Sequence, residues 1–117
     1  MAEAVGVRAV RSGGHLERML ASGAFAVTAE IAPPASADPT DIREMVSRYR
    51  GAVDACNVTD CTRARVRLSS LAAATIAMQE GIEPVMQIVA RDRNRIALAR
   101  DLLRMIRTLE LCDRYGW

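Results

Sequence analysis

Three short apolar runs divide the chain: residues 25–31, 53–59 and 84–90. They begin about 30 residues apart, the length of a strand–helix unit. Each is followed by a helical pattern. A leader helix is predicted over His15–Ser22 and stopped by Gly23. After the first run, Asp38 caps a helix whose first residue is Pro39, with Ile42, Met45, Val46 and Tyr49 at spacings of three and four. Gly51 ends it. Ser69 caps an alanine-rich helix over 71–80, stopped by Gly81, and Asn94 caps a last one with Ile96, Ala99, Leu103 and Ile106 on one face.

Strands that are apolar throughout belong to a parallel sheet covered by helices, so the class is α/β with three parallel β/α units. Two architectures fit, an open doubly wound sheet and the start of an eight-stranded barrel. No GxGxxG follows the first strand and no GxxxxGK[ST] occurs, which disfavours a nucleotide-binding open sheet.

With 117 residues the chain is one small domain at most. Half of it is apolar but only 3% aromatic, so the core is built from Ala, Val, Ile, Leu and Met. All 16 basic residues are arginine, they are interspersed with 14 acids, and the net charge is +2. That balance gives no electrostatic case for nucleic acid or a membrane surface. No apolar run approaches the roughly 20 residues of a membrane span, and residues 1–14 lack a signal-peptide core. A cytoplasmic protein is expected.

Cys56, Cys61 and Cys112 form no CxxC pair and no cluster with the single histidine, His15, so a metal site is not expected. An odd count of cysteines without a signal sequence argues for reduced thiols. Cys56 is read as packing and Cys61 as a loop residue. The loop 60–68 is polar and carries Arg63, Arg65 and Arg67. Residues 91–95 read as a solvated loop ahead of the Asn94 cap.

The residue that bears most on chemistry is Glu30, a carboxylate at the end of an apolar strand that stops at Pro33-Pro34. Proline cannot donate to a sheet ladder, so the strand ends there. Parallel α/β folds place their chemistry at that lip. A strand-end carboxylate taken alone is more often a helix cap or an arginine partner. The loop motifs downstream of Glu30 reverse that preference.

Glu30-Ile31-Ala32-Pro33-Pro34, Asn57-Val58-Thr59-Asp60, Gly81-Ile82-Glu83-Pro84 and Arg91-Asp92-Arg93-Asn94-Arg95 fall in order at strand and loop boundaries. In that order they resemble the N-terminal part of the methylenetetrahydrofolate reductase family, from about Phe25 to Leu103. The resemblance implies a partial (β/α)8 TIM barrel, with 1–24 a leader, 25–103 three strand–helix units and 104–117 a divergent tail. It implies FAD at the C-terminal ends of the strands. It also implies reduction of 5,10-methylenetetrahydrofolate to 5-methyltetrahydrofolate, with a nicotinamide or a reduced protein as electron donor. Glu30 matches the family's general acid, which helps open the imidazolidine ring. Thr59 matches a flavin-contacting threonine, and Gln87 a position near the flavin. Arg91 and Asp92 border the cofactor site, while Arg93 and Arg95 keep the reading of solvated loop residues.

Two departures accompany the match. Many relatives carry glycine or asparagine where this chain has Cys61. Relatives also continue into a fourth strand ending Leu-Thr-Gly-Asp, where this chain has residues 104–117. A barrel of this kind needs about 250 residues. The chain is therefore expected to be a truncated product, inactive alone, that self-associates or takes a companion chain. Val27, Val58 and Val85 are expected to be partly exposed barrel-interior residues. The alternatives are a non-catalytic remnant that binds flavin weakly or only a partner, and an unrelated small α/β module.

Overall fold

The computed structural model describes residues 12–116. Element order is α1 (His15–Ala21), β1 (Thr28–Ile31), α2 (Pro39–Ser47), β2 (Ala55–Val58), a 3-10 turn (Thr62–Ala64), α3 (Ser70–Gln79), β3 (Pro84–Met86) and α4 (Arg95–Tyr115). The strands form one parallel sheet in the order β1-β2-β3. The fold is α/β, and the three described strands leave β1 and β3 as open edges.

The helix signals in the sequence act as read. The Asp38 carboxylate accepts the Thr40 amide at 2.9 Å, the Ser69 hydroxyl the Ala72 amide at 3.2 Å, and the Asn94 side chain the Ala97 amide at 2.8 Å. Gly81, at φ +79°, ends α3 by sending its amide to Met78 and that of Ile82 to Ala77. The chain reverses there only because glycine carries no side chain into the left-handed region.

The strands are shorter than their apolar runs. β1 begins at Thr28 because its partner β2 begins at Ala55, opposite it. Phe25, expected inside the strand, lies outside it and is 89% exposed. β3 stops at Met86, and the Val89 amide turns instead to the Asp60 carboxylate at 2.9 Å.

Among the described residues the helices pack on one face of the sheet. Ile31, Cys56 and Val58 point to the helices and form the core with Ile42, Val46, Ala73, Ala74, Ala77 and Ile82. Glu30, Asn57 and Val85 lie in register across the other face, which no helix covers. The expected helix cover is therefore found on one face among the described residues. Val27 and Val85 are partly exposed as expected, but Val58 is fully buried. Strand side chains alternate, and Val58 stands beside Ile31 in the register, on the helix side.

The last helix departs most from its pattern. Ile96, Leu103 and Ile106 are 79%, 70% and 60% exposed, while Met105 and Cys112 are buried. β3 is the edge of the described sheet, so no described strand lies beneath that apolar face. α4 runs unbroken from Arg95 to Tyr115 and ends at Gly116, so residues 104–115 continue the helix that follows β3.

The N-terminal end of the sheet is closed by α1. The Glu83 carboxylate accepts the amides of His15 and Leu16, the latter at 3.1 Å. A β-carbon at Gly14 would meet that carboxylate at 2.6 Å, so a larger residue there would displace the Glu83 side chain. His15 Nε2 lies 2.9 Å from the Asp54 carboxylate, which also accepts the Val27 amide. This end is structural, and the opposite end carries the candidate site.

Candidate functional site

The C-terminal edge of the sheet is made by three loops that are tied to one another. The Leu68 amide donates to the Pro34 carbonyl at 2.8 Å, joining the loop after β1 to that after β2. Asp60 joins the second loop to the third. Its carboxylate is buried and accepts the Val89 amide and Arg93 Nη1, the latter at 2.5 Å. The Arg93 guanidinium also donates to the Val89 carbonyl at 2.6 Å and to Asp101 at 2.9 Å. Those hydrogen bonds hold the Asp101 carboxyl below the usual carboxylate range and raise the Arg93 guanidinium. The reading of Arg93 as a solvated loop residue is therefore corrected: it is a structural clamp. Nothing in its local sequence marks it, because its carboxylate acceptors lie 33 and 8 residues away.

Glu30 is the next-to-last residue of β1 and lies exposed on the open face. It makes no hydrogen bond or ion pair with any described residue. Asn57 is its register partner, and Val85 follows on β3. Asn57 was not singled out in the sequence as a candidate; the signal was a second polar residue inside an apolar strand.

Thr59 and Gln87 continue the same edge. The Thr59 amide donates to the Ile31 carbonyl and the Gln87 amide to the Val58 carbonyl, each at 3.0 Å. The Gln87 side chain is exposed, while its carbonyl accepts the buried Ser70 hydroxyl at 2.7 Å. Thr59 is buried, and its hydroxyl donates to the Ile31 carbonyl at 3.3 Å. Arg91 and Asp92 pair with each other at 2.8 and 2.9 Å, and Arg91 also reaches the Cys61 carbonyl at 3.1 Å. This pairing lowers the Asp92 carboxyl and raises the Arg91 guanidinium. Cys61 itself sits at φ +45°, a left-handed conformation that glycine and asparagine adopt more readily.

The edge thus carries Glu30 at the end of β1, with Asn57 beside it, and Thr59, Gln87, Arg91 and Asp92 from the segments after β2 and β3. The family model for methylenetetrahydrofolate reductase matches residues 15–108. The chain belongs to the methylenetetrahydrofolate reductase family. The match begins at α1, ahead of the stretch that carries the motifs, and ends within α4. Membership implies a TIM barrel, of which the described residues form three strands, and an oxidoreductase function like that of methylenetetrahydrofolate reductase. No curated protein and no solved structure matches the chain.

The family binds flavin, and the open face suits the edge of such a ring. Glu30, Asn57 and Gln87 offer a carboxylate and two amides, which can accept and donate at a heteroaromatic rim. Glu30 and Gln87 are exposed to whatever lies on that face. Among the described residues no group of His, Cys, Asp and Glu could hold a metal ion, and no helix is long and apolar enough to cross a membrane.

Proposed function

We propose that the chain supplies the proton-donating edge of an FAD-dependent reduction of 5,10-methylenetetrahydrofolate to 5-methyltetrahydrofolate. The observation that carries this reading is the position of Glu30. Its carboxylate stands at the C-terminal end of β1, in register with Asn57, on the one sheet face the helices leave open. The flavin, when bound, supplies the hydride.

The residues of this chain do the rest. Opening the imidazolidine ring needs a proton delivered to its nitrogen, and Glu30 is placed to donate it as a general acid. A ligand laid on the open face would cover Glu30 and exclude water. Asn57 and Gln87 orient the ring edge by hydrogen bonds, and the Asp60–Arg93 clamp holds the three loops in place. Arg91 and Asp92 border the cofactor.

Three strands do not enclose an interior, since a barrel excludes water only when its sheet closes. Full activity is therefore assigned to a state in which further strands meet the free edge of β3. The reading of a non-catalytic, partner-binding fragment makes the opposite prediction for that state. In that state, Glu30→Gln is expected to abolish folate reduction and leave FAD bound, because the amide keeps the shape and loses the proton. Normal turnover by that variant would end the proton-donor role. No flavin binding in that state would favour the non-catalytic reading.

A further inference from the structure

The loop after β2 holds three arginines that the proposed reaction does not use. It turns through backbone conformations that L-residues avoid, with φ +45° at Cys61, +56° at Arg63 and +53° at Ala64. Such residues persist only where the surrounding structure over-determines them, and they gather at ligand sites. The loop brings Arg63, Arg65 and Arg67 around a cleft of about 400 Å³, whose wall is completed by Glu30, Ala32 and Thr62.

None of the three guanidiniums forms an ion pair or side-chain hydrogen bond with a described residue. Arg50, Arg91 and Arg93, by contrast, all have carboxylate partners. Glu30 shares the cleft and still pairs with none of them. Arg67 Nε is buried without a hydrogen-bond partner among the described residues. A buried N–H left without an acceptor carries an uncompensated loss of hydration. A merely solvated arginine loop would leave that group in water. The cleft instead sets three cations against one carboxylate.

We propose that Arg63, Arg65 and Arg67 form a receptor for a multiply charged oxyanion, seated at the C-terminal edge beside Glu30. Guanidinium forks take carboxylate or phosphate oxygens in pairs, and Arg67 Nε lacks the acceptor that such an oxygen would supply. The proposal rests on the preceding reading only in one respect: the anion is taken as the charged end of the ligand that Glu30 serves. Glutamyl carboxylates of a folate and phosphates of a flavin dinucleotide share this chemistry.

The test uses the full chain at low salt and calorimetric titration with two probes, inorganic pyrophosphate and a folate-free tetraglutamate. Saturable binding of at least one probe is expected, and the tighter one assigns the source. Arg63→Gln/Arg65→Gln, at two exposed positions, is expected to weaken it about tenfold or more, with an unchanged circular dichroism spectrum. Arg67→Lys, which keeps the charge and removes the fork, is expected to weaken it as well. Glu30→Gln is expected to bind at least as tightly, so failure of the proton-donor reading would leave this result standing. No saturable binding of either probe, or equal binding by the double variant, would overturn the proposal.

Discussion

Arg93→Met tests what holds the candidate edge together. The change keeps the length of the side chain and removes the guanidinium. Asp60, 3% exposed, would lose its charged partner and keep only the Val89 amide. Breaking a buried ion pair from one side costs about 3–5 kcal/mol. The Arg93 side chain is itself 18% exposed. Water can therefore reach the gap, and about 2–3 kcal/mol is the better expectation here. With a urea slope of about 1.5 kcal/mol/M, the unfolding midpoint should fall by about 1.3–2 M. Equilibrium urea denaturation followed by far-UV circular dichroism measures it. Asp60→Asn/Arg93→Met completes a double-mutant cycle, and a coupling above about 1 kcal/mol is expected for groups in direct contact. A loss under about 0.5 kcal/mol for Arg93→Met, or additivity of the two changes, would refute the clamp.

Ser69→Ala should cost about 1 kcal/mol in the same assay, since the α3 amide at Ala72 loses its acceptor; no change would mean that water replaces the cap. The Asp54 carboxyl is held below its ordinary range, chiefly by the Val27 amide and then by His15. Its contribution is full above the unfolded value of about 3.9 and is lost as pH falls through the lower folded value, so wild type and Asp54→Asn should converge in stability there. A difference that persists unchanged at strongly acid pH would contradict this. Thiol titration should modify Cys61 first and Cys56 slowly, because burial covers Cys56 and pushes its thiol up; equal rates would show that the core opens readily. Sedimentation should find association that rises with concentration, and Leu103→Glu, on the exposed α4 stripe, should reduce it. A monomer at all concentrations would remove the need for self-contact.

The local signals were legible because they act over three or four residues. Asp38, Ser69 and Asn94 cap the helices they precede, and Gly81 stops α3 where the sequence places it. Parallel pairing followed from the alternation of apolar runs with helices, which left the strand order open between two architectures. Strand ends were not legible, because a strand stops where its neighbour stops: Phe25 is apolar yet has no β2 residue to pair with. Facing was legible only in part. Alternation within β2, with Asn57 as its one polar residue, could have placed Val58 on the opposite face. Arg93 was misread for another reason. An arginine in a polar loop looks solvated until the fold brings a buried carboxylate to it from 33 residues away.

The two uncovered surfaces share one physical origin. α4 presents Ile96, Leu103 and Ile106 to solvent, and β3 presents an unpaired ladder. Helices in β/α folds lie across neighbouring strands, so a stripe beyond β3 is the cover for a strand that would pair with β3. An element that satisfies one of these surfaces satisfies the other. The open face behaves differently. Its row of Glu30, Asn57 and Val85 is too polar to be a buried hydrocarbon layer, and an unpaired carboxylate there would be costly to enclose. Added strands would therefore pair the edge and cover the stripe, yet leave Glu30 facing a space that needs a polar occupant.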